Sequence, residues 1–253
     1  MSQPAVSALA PLPFELVTGD GEPLETYQHV VQMTLLRDLA RRIMAERGRT
    51  DFFMAGDIFV YYSYEQAREI AAIVSGNSPG KRYFRGPDFF FVGGVDPSRQ
   101  REAWIAWEEG GRLPDLIVEL LSPSTRKIDR TVKKDLYART FRTHEYFLYE
   151  PGRRGFEGFR LAGDFYQPIA PDEHGRLWSE ELGVALGLWE GRLDDSTGYW
   201  LRLFYHDGRM VPTSAESAEA ERQRAETAQA RAESAEAELA RLRALLAERG
   251  GQA

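Results

Sequence analysis

The 253-residue chain is 43% hydrophobic and 12% aromatic, so it can bury a sizeable core, and its net charge of −7 argues against a protein that coats nucleic acid, though not against a local basic groove. It has no cysteine, which excludes disulfides, thiolate zinc sites and cysteine nucleophiles, and none of its four histidines pairs with another at metal-ligand spacing. No apolar run approaches the roughly 20 residues of a membrane span, and the first residues lack a signal-peptide pattern, so we expect a cytoplasmic protein without a membrane span.

The first part of the chain predicts one long helix and several short strands. Residues 1–24 read as an irregular arm, and apolar residues then recur at helical spacing from Thr26 to about Arg47, where Gly48 closes the helix. Residues 52–64 read as two short strands that a hairpin turn would join. Residues 65–74 fit either a helical turn or an irregular excursion.

Four further elements follow in the middle of the chain. The aromatic run in GPDFFFV, residues 86–92, indicates a strand buried on both faces. The sequence PDLIVELLSPST, residues 114–125, predicts a strand that stops at its proline, because proline cannot continue a ladder of hydrogen bonds. Residues 129–140 read as a helix with Asp129 as its cap, and residues 145–149 read as another strand.

The C-terminal part predicts two different structures. Short apolar segments separated by Gly and Asp, from Phe156 to Tyr205, indicate a β meander added to one side of the core. After a boundary at Pro212, residues 213–253 predict a long helix. In this helix, apolar residues recur every seven positions at Ala218, Ala225, Ala232, Leu239 and Leu246. The pattern fits either a solvated helical tail or a coiled coil that joins copies of the chain.

The central strand carries a carboxylate in apolar surroundings. Alternation along the strand leaves Asp115 and Glu119 on the face opposite to the apolar set of Leu116, Val118 and Leu120. Asp115 and Glu119 are roughly 13 Å apart, too far for one cation to touch both. Burial of Glu119 is costly unless a divalent cation or a basic partner offsets it. A cation would need a second carboxylate from a neighbouring strand, and Asp88 supplies one if the strand that follows it pairs with the central strand.

A carboxylate site of this kind favours Mg²⁺ or Mn²⁺ and suits metal-assisted hydrolysis of phosphodiesters. Lys133 and Lys134 are candidates for a lysine that assists this chemistry, and Lys133 shares a helix face with Asp129 and Tyr137. We expect four residues of the same basic segment to contact a phosphate backbone: Arg126, Lys127, Arg130 and Lys134. A second basic run consists of Lys81, Arg82 and Arg85. For both runs the alternative is an ordinary solvated charged face.

The chain resembles the Uma-two family of restriction-endonuclease-like proteins over roughly residues 25–212. The resemblance lies in the strings FRGPDFFFVGGV, WIAWEEG, PDLIVELLSPST, HEYFLYEP and LWSEELGVALGLWEG, and in Asp129, Lys133 and Tyr137. It implies membership of the PD-(D/E)XK nuclease superfamily. The implied fold is a mixed sheet of about four strands flanked by helices, in the order α-β-β-β-α-β.

The resemblance also implies roles for individual residues. By motif, Asp88 and Glu119 match the metal-binding acids, and Asp115 matches the acid that opens the second motif strand and is a further metal candidate. The superfamily pattern places a lysine two residues after the second acid, but this chain has Leu121 there. The resemblance therefore implies that the lysine has moved to the following helix, as Lys133.

Together, these patterns predict an α/β (α+β) fold with a restriction-endonuclease-like mixed sheet, an added β meander and a C-terminal coiled-coil helix. The corresponding function is an endonuclease that cuts DNA with Mg²⁺ or Mn²⁺, with homo-oligomers formed through the C-terminal helix. The alternative is an inactive nuclease-fold module that binds nucleic acid or protein and recruits a partner through its tail. A third reading is a phosphoesterase that acts on a small substrate.

Overall fold

A computed structural model of the chain describes residues 13, 16, 26–76, 86–151 and 154–250, with side chains up to residue 243. Most of the expected N-terminal arm, residues 1–24, lies outside the described residues. The second basic run of Lys81, Arg82 and Arg85 lies outside them as well.

Eleven strands are present in the described part of the chain, and six of them form the main sheet. In chain order they are β1 (Phe52–Ala55), β2 (Val60–Tyr61), β3 (Phe89–Gly93), β4 (Trp104–Ile105), β5 (Leu116–Leu120), β6 (Glu145–Glu150), β7 (Gly155–Ala162), β8 (Phe165–Pro168), β9 (Leu177–Ser179), β10 (Val184–Leu193) and β11 (Ser196–Phe204). The main sheet has the order β1-β3-β5-β6-β7-β8, with β5 and β6 parallel and the other neighbours antiparallel. The predicted mixed sheet is therefore confirmed.

Helix α1 (Tyr27–Glu46) precedes the sheet, as its apolar periodicity predicts. The Thr26 side chain caps it by accepting a hydrogen bond from the backbone N–H of His29. Gly48 ends it in the left-handed region with φ +64, where a residue without Cβ is favoured. A second helix, α2 (Tyr64–Val74), occupies the segment that fits either a helical turn or an excursion in the sequence, so the helical alternative is correct.

The predicted hairpin between the first two strands is wrong. β1 pairs with β3, whereas β2 pairs in parallel with β4 in a separate two-stranded sheet. Between β1 and β2 the chain turns at Asp57, which has a positive φ and donates its backbone N–H to the carbonyl of Pro87. That bond ties the turn to the segment before β3 and directs β2 away from β1.

The predicted meander divides between two sheets. β7 and β8 extend the main sheet, and β9, β10 and β11 form a three-stranded sheet in the order β11-β10-β9. Helix α1 is tied to this second sheet by Gln32, whose side-chain amide donates to the carbonyl of Leu201 and accepts from its N–H, both at 2.9 Å.

The main sheet has an apolar core on each face, and β5 contributes to both by alternation. Leu116, Val118 and Leu120 belong to the core shared with α1 and the three-stranded sheet. Ile117 belongs to the opposite core, which includes Tyr137 from the helical segment between β5 and β6. The face that carries Glu119 is therefore the face covered by that helical segment.

The helical segment between β5 and β6 alternates between two kinds of turn. It consists of α3 (Arg126–Ile128), a π turn (Asp129–Lys133), α4 (Lys134–Leu136) and a second π turn (Tyr137–Phe141). We call residues 126–141 the α/π helix. The prediction that Asp129 caps this helix is wrong, because the helix begins one turn earlier. Before it, the hydroxyls of Ser122 and Thr125 each accept a hydrogen bond from the other residue's backbone N–H, at 3.1 and 3.3 Å.

The chain divides into two compact units, Met1–Val211 and Pro212–Ala253. The second unit contains α5 (Ser214–Gly250), which begins with a capping box: Thr213 and Glu216 exchange side-chain to backbone hydrogen bonds at 2.7 and 3.0 Å. Leu239 and Leu242 on this helix are 53% and 50% exposed. None of the helices in the described ranges combines the length and apolar character that crossing a bilayer demands.

Candidate functional site

The pairing of β3 with β5 brings Asp88 beside Glu119. Phe89 lies opposite Val118 in this antiparallel pair, so Asp88, the residue before β3, lies across from Glu119. The Asp88 carboxylate accepts a hydrogen bond from the backbone N–H of Leu120 at 2.6 Å, which fixes it against the end of β5. The sequence predicted this arrangement on the condition that the two strands pair, and they do.

Glu119 is 1% exposed, and both of its carboxylate oxygens have partners from the α/π helix. Oε2 accepts from the Lys133 ammonium at 3.0 Å, and Oε1 accepts from the Tyr137 hydroxyl at 2.8 Å. Lys133 also forms an ion pair with Asp129, with Nζ 2.9 Å from Oδ1. We call Asp88, Glu119 and Asp129 the buried acid cluster. Glu119 and Asp129 contact the ammonium of Lys133, and Asp88 also attracts it.

The alternation of turns explains why Asp129, Lys133 and Tyr137 all reach this cluster. An α turn has 3.6 residues, so residues four apart drift around the helix in one direction. A π turn has more than four residues, so the same spacing drifts in the opposite direction. Because the two kinds of turn alternate here, residues spaced by four stay in line and face β5. The sequence placed these three residues on one face but did not assign Asp129 to the site, although the spacing Asp-x-x-x-Lys was a signal for it.

Burial and mutual repulsion perturb the titration of this cluster. Burial raises the pKa of Glu119 and the Lys133 ammonium opposes it, while repulsion from Asp129 and Asp88 raises it further, to about 8. Burial also raises the pKa of Asp88, against the attraction of Lys133. For Lys133, burial lowers the pKa, but the attraction of Glu119, Asp129 and Asp88 outweighs it and the pKa is raised. The cluster therefore holds more negative charge than Lys133 can balance, and it retains a proton near neutral pH.

The donor set fits a small divalent cation. Asp88 is half-buried and the Lys133 side chain is 14% exposed, so this edge of the cluster meets solvent, whereas Glu119 and Asp129 are 1% exposed. In the described ranges, no three Asp, Glu, His or Cys side chains form a ready-made ligand set. Mg²⁺ needs no such set, because one or two carboxylates with water and substrate oxygens hold it. Asp88 and Glu119 meet that requirement, and the excess negative charge favours it.

Asp115 lies at the other end of β5, away from the cluster. Its carboxylate accepts a hydrogen bond from the backbone N–H of Gly93 at 2.7 Å and pairs with Arg112 at 3.3 Å. Its geometry therefore gives no support to the expectation that Asp115 adds a further metal ligand. The side chain instead fixes the start of β5 against the end of β3.

The basic residues of the α/π helix are less available than the sequence suggested. Arg126 pairs with Glu150 at 2.9 Å, and Arg130 pairs with Glu157 at 2.5 Å. The ammonium of Lys134 lies 3.2 Å from the centre of the Phe159 ring. Lys127 is exposed and has no ion-pair partner among the described residues. These pairings arise because β6 and β7 bring glutamates and an aromatic ring alongside the helix.

No curated protein matches the chain. The model of the Uma2 family, described as "Putative restriction endonuclease", matches residues 13–201. The match covers more than half of the chain and contains the whole buried acid cluster, Lys133 and Tyr137. The chain therefore belongs to the Uma2 family.

Proposed function

We propose that this chain is a metal-dependent endonuclease that hydrolyses phosphodiester bonds in DNA. The observation that carries the proposal is the convergence of Asp88, Glu119 and Lys133 at one partly accessible edge of the sheet. The description of the family, "Putative restriction endonuclease", supports the choice of substrate. Asp88 and Glu119 would hold Mg²⁺ or Mn²⁺, and Lys133 would stand beside the reacting phosphate.

Each residue then has a defined task. The cation, when bound, would polarise the scissile phosphate and lower the pKa of a water molecule. Asp88 and Glu119 fix the place of that charge, because one is held by the N–H of Leu120 and the other by Tyr137. The Lys133 ammonium has three N–H groups and lies against two carboxylates, so a donor remains that can stabilise the charge that develops on a phosphate oxygen. Water adds to phosphorus, the bond to the leaving oxygen breaks, and a phosphate monoester and a hydroxyl result.

DNA would approach along the α/π helix. Lys127 is exposed and ready to meet a phosphate. Arg126 and Arg130 are held by Glu150 and Glu157, so they would contact a phosphate only by exchanging those partners. Lys134 would act from its position over Phe159. We propose Arg126, Lys127, Arg130 and Lys134 as one contact surface, of which Lys127 is the most available member.

A second candidate function is a nuclease-fold module that binds without cutting. It is favoured by the ion pairs of Lys133, which already engage both Glu119 and Asp129 and so offset part of the charge that a cation would neutralise. Such a module would bind no divalent cation at Asp88 and Glu119. A calorimetric titration with Mn²⁺ distinguishes the two candidates.

We also propose that α5 joins copies of the chain as a coiled coil. Leu239 and Leu242 are half exposed along the apolar seam of this helix. In a parallel, in-register pair, Arg231 faces Glu236 of a second copy and Glu238 faces Arg243. Opposite charges therefore meet on both sides of the leucine-containing section.

The test of the nuclease activity uses supercoiled plasmid and linear DNA with Mg²⁺, Mn²⁺ or a chelator. We expect cleavage by the wild type only with a divalent cation. Glu119→Gln and Asp88→Asn should each lose more than about 100-fold in rate, since even the outer partners of a metal site cost about 10- to 100-fold. Arg139→Met is the matched control, because Arg139 lies on the same helix, is 67% exposed and should leave the rate unchanged.

Two outcomes would contradict the proposal. A folded wild type that cuts no DNA with either cation would reject the nuclease activity. If that protein nevertheless binds Mn²⁺ at Asp88 and Glu119, the non-cutting module is rejected as well. Cleavage that survives both Glu119→Gln and Asp88→Asn would reject the site.

A further inference from the structure

Asp129 is a buried carboxylate that neither metal binding nor helix capping explains. It is 1% exposed, as deeply buried as Glu119, and it lies inside the helix rather than at its start. Burial of a carboxylate costs free energy unless a charged partner offsets it. In the described part of the chain, the ion-pair partner of Asp129 is the ammonium of Lys133, 2.9 Å away.

Lys133 has two carboxylate partners of different kinds. Glu119 comes from strand β5 and lies beside Asp88, so it belongs to the cation site. Asp129 comes from the same helix as Lys133, four residues earlier, and no hydrogen bond or ion pair joins it to Asp88 or Glu119 among the described contacts. The helix therefore supplies Lys133 with a partner of its own, which does not depend on the sheet.

The difference matters when a cation enters the site. A divalent cation on Asp88 and Glu119 takes up the charge that holds Lys133, and it also repels the ammonium. With Glu119 as its only partner, the long and flexible lysine side chain would turn out to solvent, where its charge is well hydrated. Asp129 opposes this, because its attraction for the ammonium remains when Glu119 is occupied.

We propose that Asp129 is a positioning residue, which keeps the Lys133 ammonium beside the Asp88–Glu119 pair while a divalent cation is bound there. The proposal rests on the proposed function, since it assigns a partner to the lysine of that same site. Asp129 acts through Lys133 and holds neither cation nor substrate. The two residues form a unit, and the α and π turns that keep them in line set its direction.

The test measures the chemical accessibility of Lys133 in the full chain. Trace acetylation with acetic anhydride, read by peptide mass spectrometry, reports the reactivity of Lys133 relative to the exposed Lys127. The variants are Asp129→Asn and the control Asp135→Asn, which removes an acid that is 72% exposed on the same helix and lies near Arg139. Each protein is labelled with a chelator and with saturating Mg²⁺, and Mn²⁺ binding is measured by calorimetry.

We expect Lys133 of the wild type and of Asp135→Asn to remain protected in both conditions. In Asp129→Asn, Mg²⁺ should raise the reactivity of Lys133 by about tenfold, in line with the effect of removing an outer partner, whereas Mn²⁺ affinity should fall far less than it does in Asp88→Asn. If the enzyme cuts DNA, Lys133→Met and the double variant Asp129→Asn/Lys133→Met should be equally slow, because Asp129 has no role without Lys133.

Four results would overturn the proposal. Protection of Lys133 that persists in Asp129→Asn with Mg²⁺ shows that the anchor is not needed. A loss of Mn²⁺ affinity in that variant as large as the loss in Asp88→Asn shows that Asp129 is itself a ligand. If Asp129→Asn does not fold, the wild type still tests the proposal. If Lys133 of the wild type becomes reactive when Mg²⁺ saturates the site, Asp129 does not hold its ammonium in place. Labelling does not depend on cleavage. If the chain binds Mg²⁺ without cutting DNA, only the proposed nuclease activity is rejected. If it binds no cation, both the nuclease activity and the role of Asp129 are rejected.

Discussion

Replacement of Lys133 by methionine tests the electrostatic reasoning most directly. The side chain is 14% exposed, and its ammonium lies 3.0 Å from Glu119 and 2.9 Å from Asp129. Methionine keeps most of the volume but leaves the buried acid cluster without this cation. Breaking a buried ion pair by removing one partner costs about 3–5 kcal/mol, because the remaining charge is buried and uncompensated.

The expected loss is large enough to measure by thermal and urea unfolding. For a domain of this size, about 1 kcal/mol corresponds to about 2–4 °C, so the melting temperature of Lys133→Met should fall by about 6–20 °C in a chelator. Mg²⁺ at about 100 times its dissociation constant should return about 2.7 kcal/mol, because it binds the folded state and supplies the missing positive charge.

The matched control is Arg139→Met on the same helix. Arg139 pairs with Asp135 at 3.7 Å, but both side chains are exposed, and an exposed pair of this kind contributes at most about 0.5 kcal/mol. If Lys133→Met and Arg139→Met unfold at the same temperature, the buried ion pairs do not stabilise the fold and the reasoning is refuted.

Three further predictions follow from other features. The pKa of Glu119 is about 8 in the fold against an ordinary 4.5, so its protonation stabilises the metal-free protein below pH 4.5 and this contribution is lost as the pH rises through 8. Urea unfolding in a chelator between pH 5 and 9 should show that loss, and Glu119→Gln should flatten it; an equally steep loss in the variant contradicts the assignment. Gly56→Ala should destabilise the fold by about 1–3 kcal/mol and weaken Mn²⁺ binding, because its Cβ would lie 2.2 Å from the carbonyl oxygen of Asp88. The control Gly198→Ala, which has open space around its Cβ, should change neither the melting temperature nor the Mn²⁺ affinity measured by calorimetry. Leu239→Glu should turn oligomers into monomers in sedimentation without changing the melting of the first unit, and a monomeric wild type would reject the coiled coil.

The sequence predicted the placement of two acids in the central part of the site. Alternation placed Glu119 opposite an apolar face, and the two Pro-Asp strands suggested that Asp88 would be its neighbour, which the register of β3 and β5 reproduces. The long helix α1 was predicted because its apolar residues, its cap and Gly48 agree with one another. The face of Glu119 and the helix depend on local patterns, which a single sequence contains, whereas the position of Asp88 followed only on the condition that β3 pairs with β5.

Features that depend on distant pairings were not predictable in this way. The partner of β2 is β4, and nothing in the local turn between β1 and β2 specifies that pairing. The neutralisation of Arg126 and Arg130 requires Glu150 and Glu157, which come from strands that only the sheet order brings close. The sequence predicts the start of the α/π helix one turn late, because an acid before a helical pattern resembles a cap. The cap is instead the pair of reciprocal hydrogen bonds between the hydroxyls and backbone N–H groups of Ser122 and Thr125.

Because α and π turns alternate in the α/π helix, the number of residues before Lys133 determines the direction in which its side chain leaves the helix. Removal of one residue before Lys133 would rotate everything after it by about 100° about the helix axis, carrying the ammonium away from Glu119 while most of the helix stays intact. A single deletion in this chain can therefore remove the lysine from the site, without mutation of any residue in the buried acid cluster.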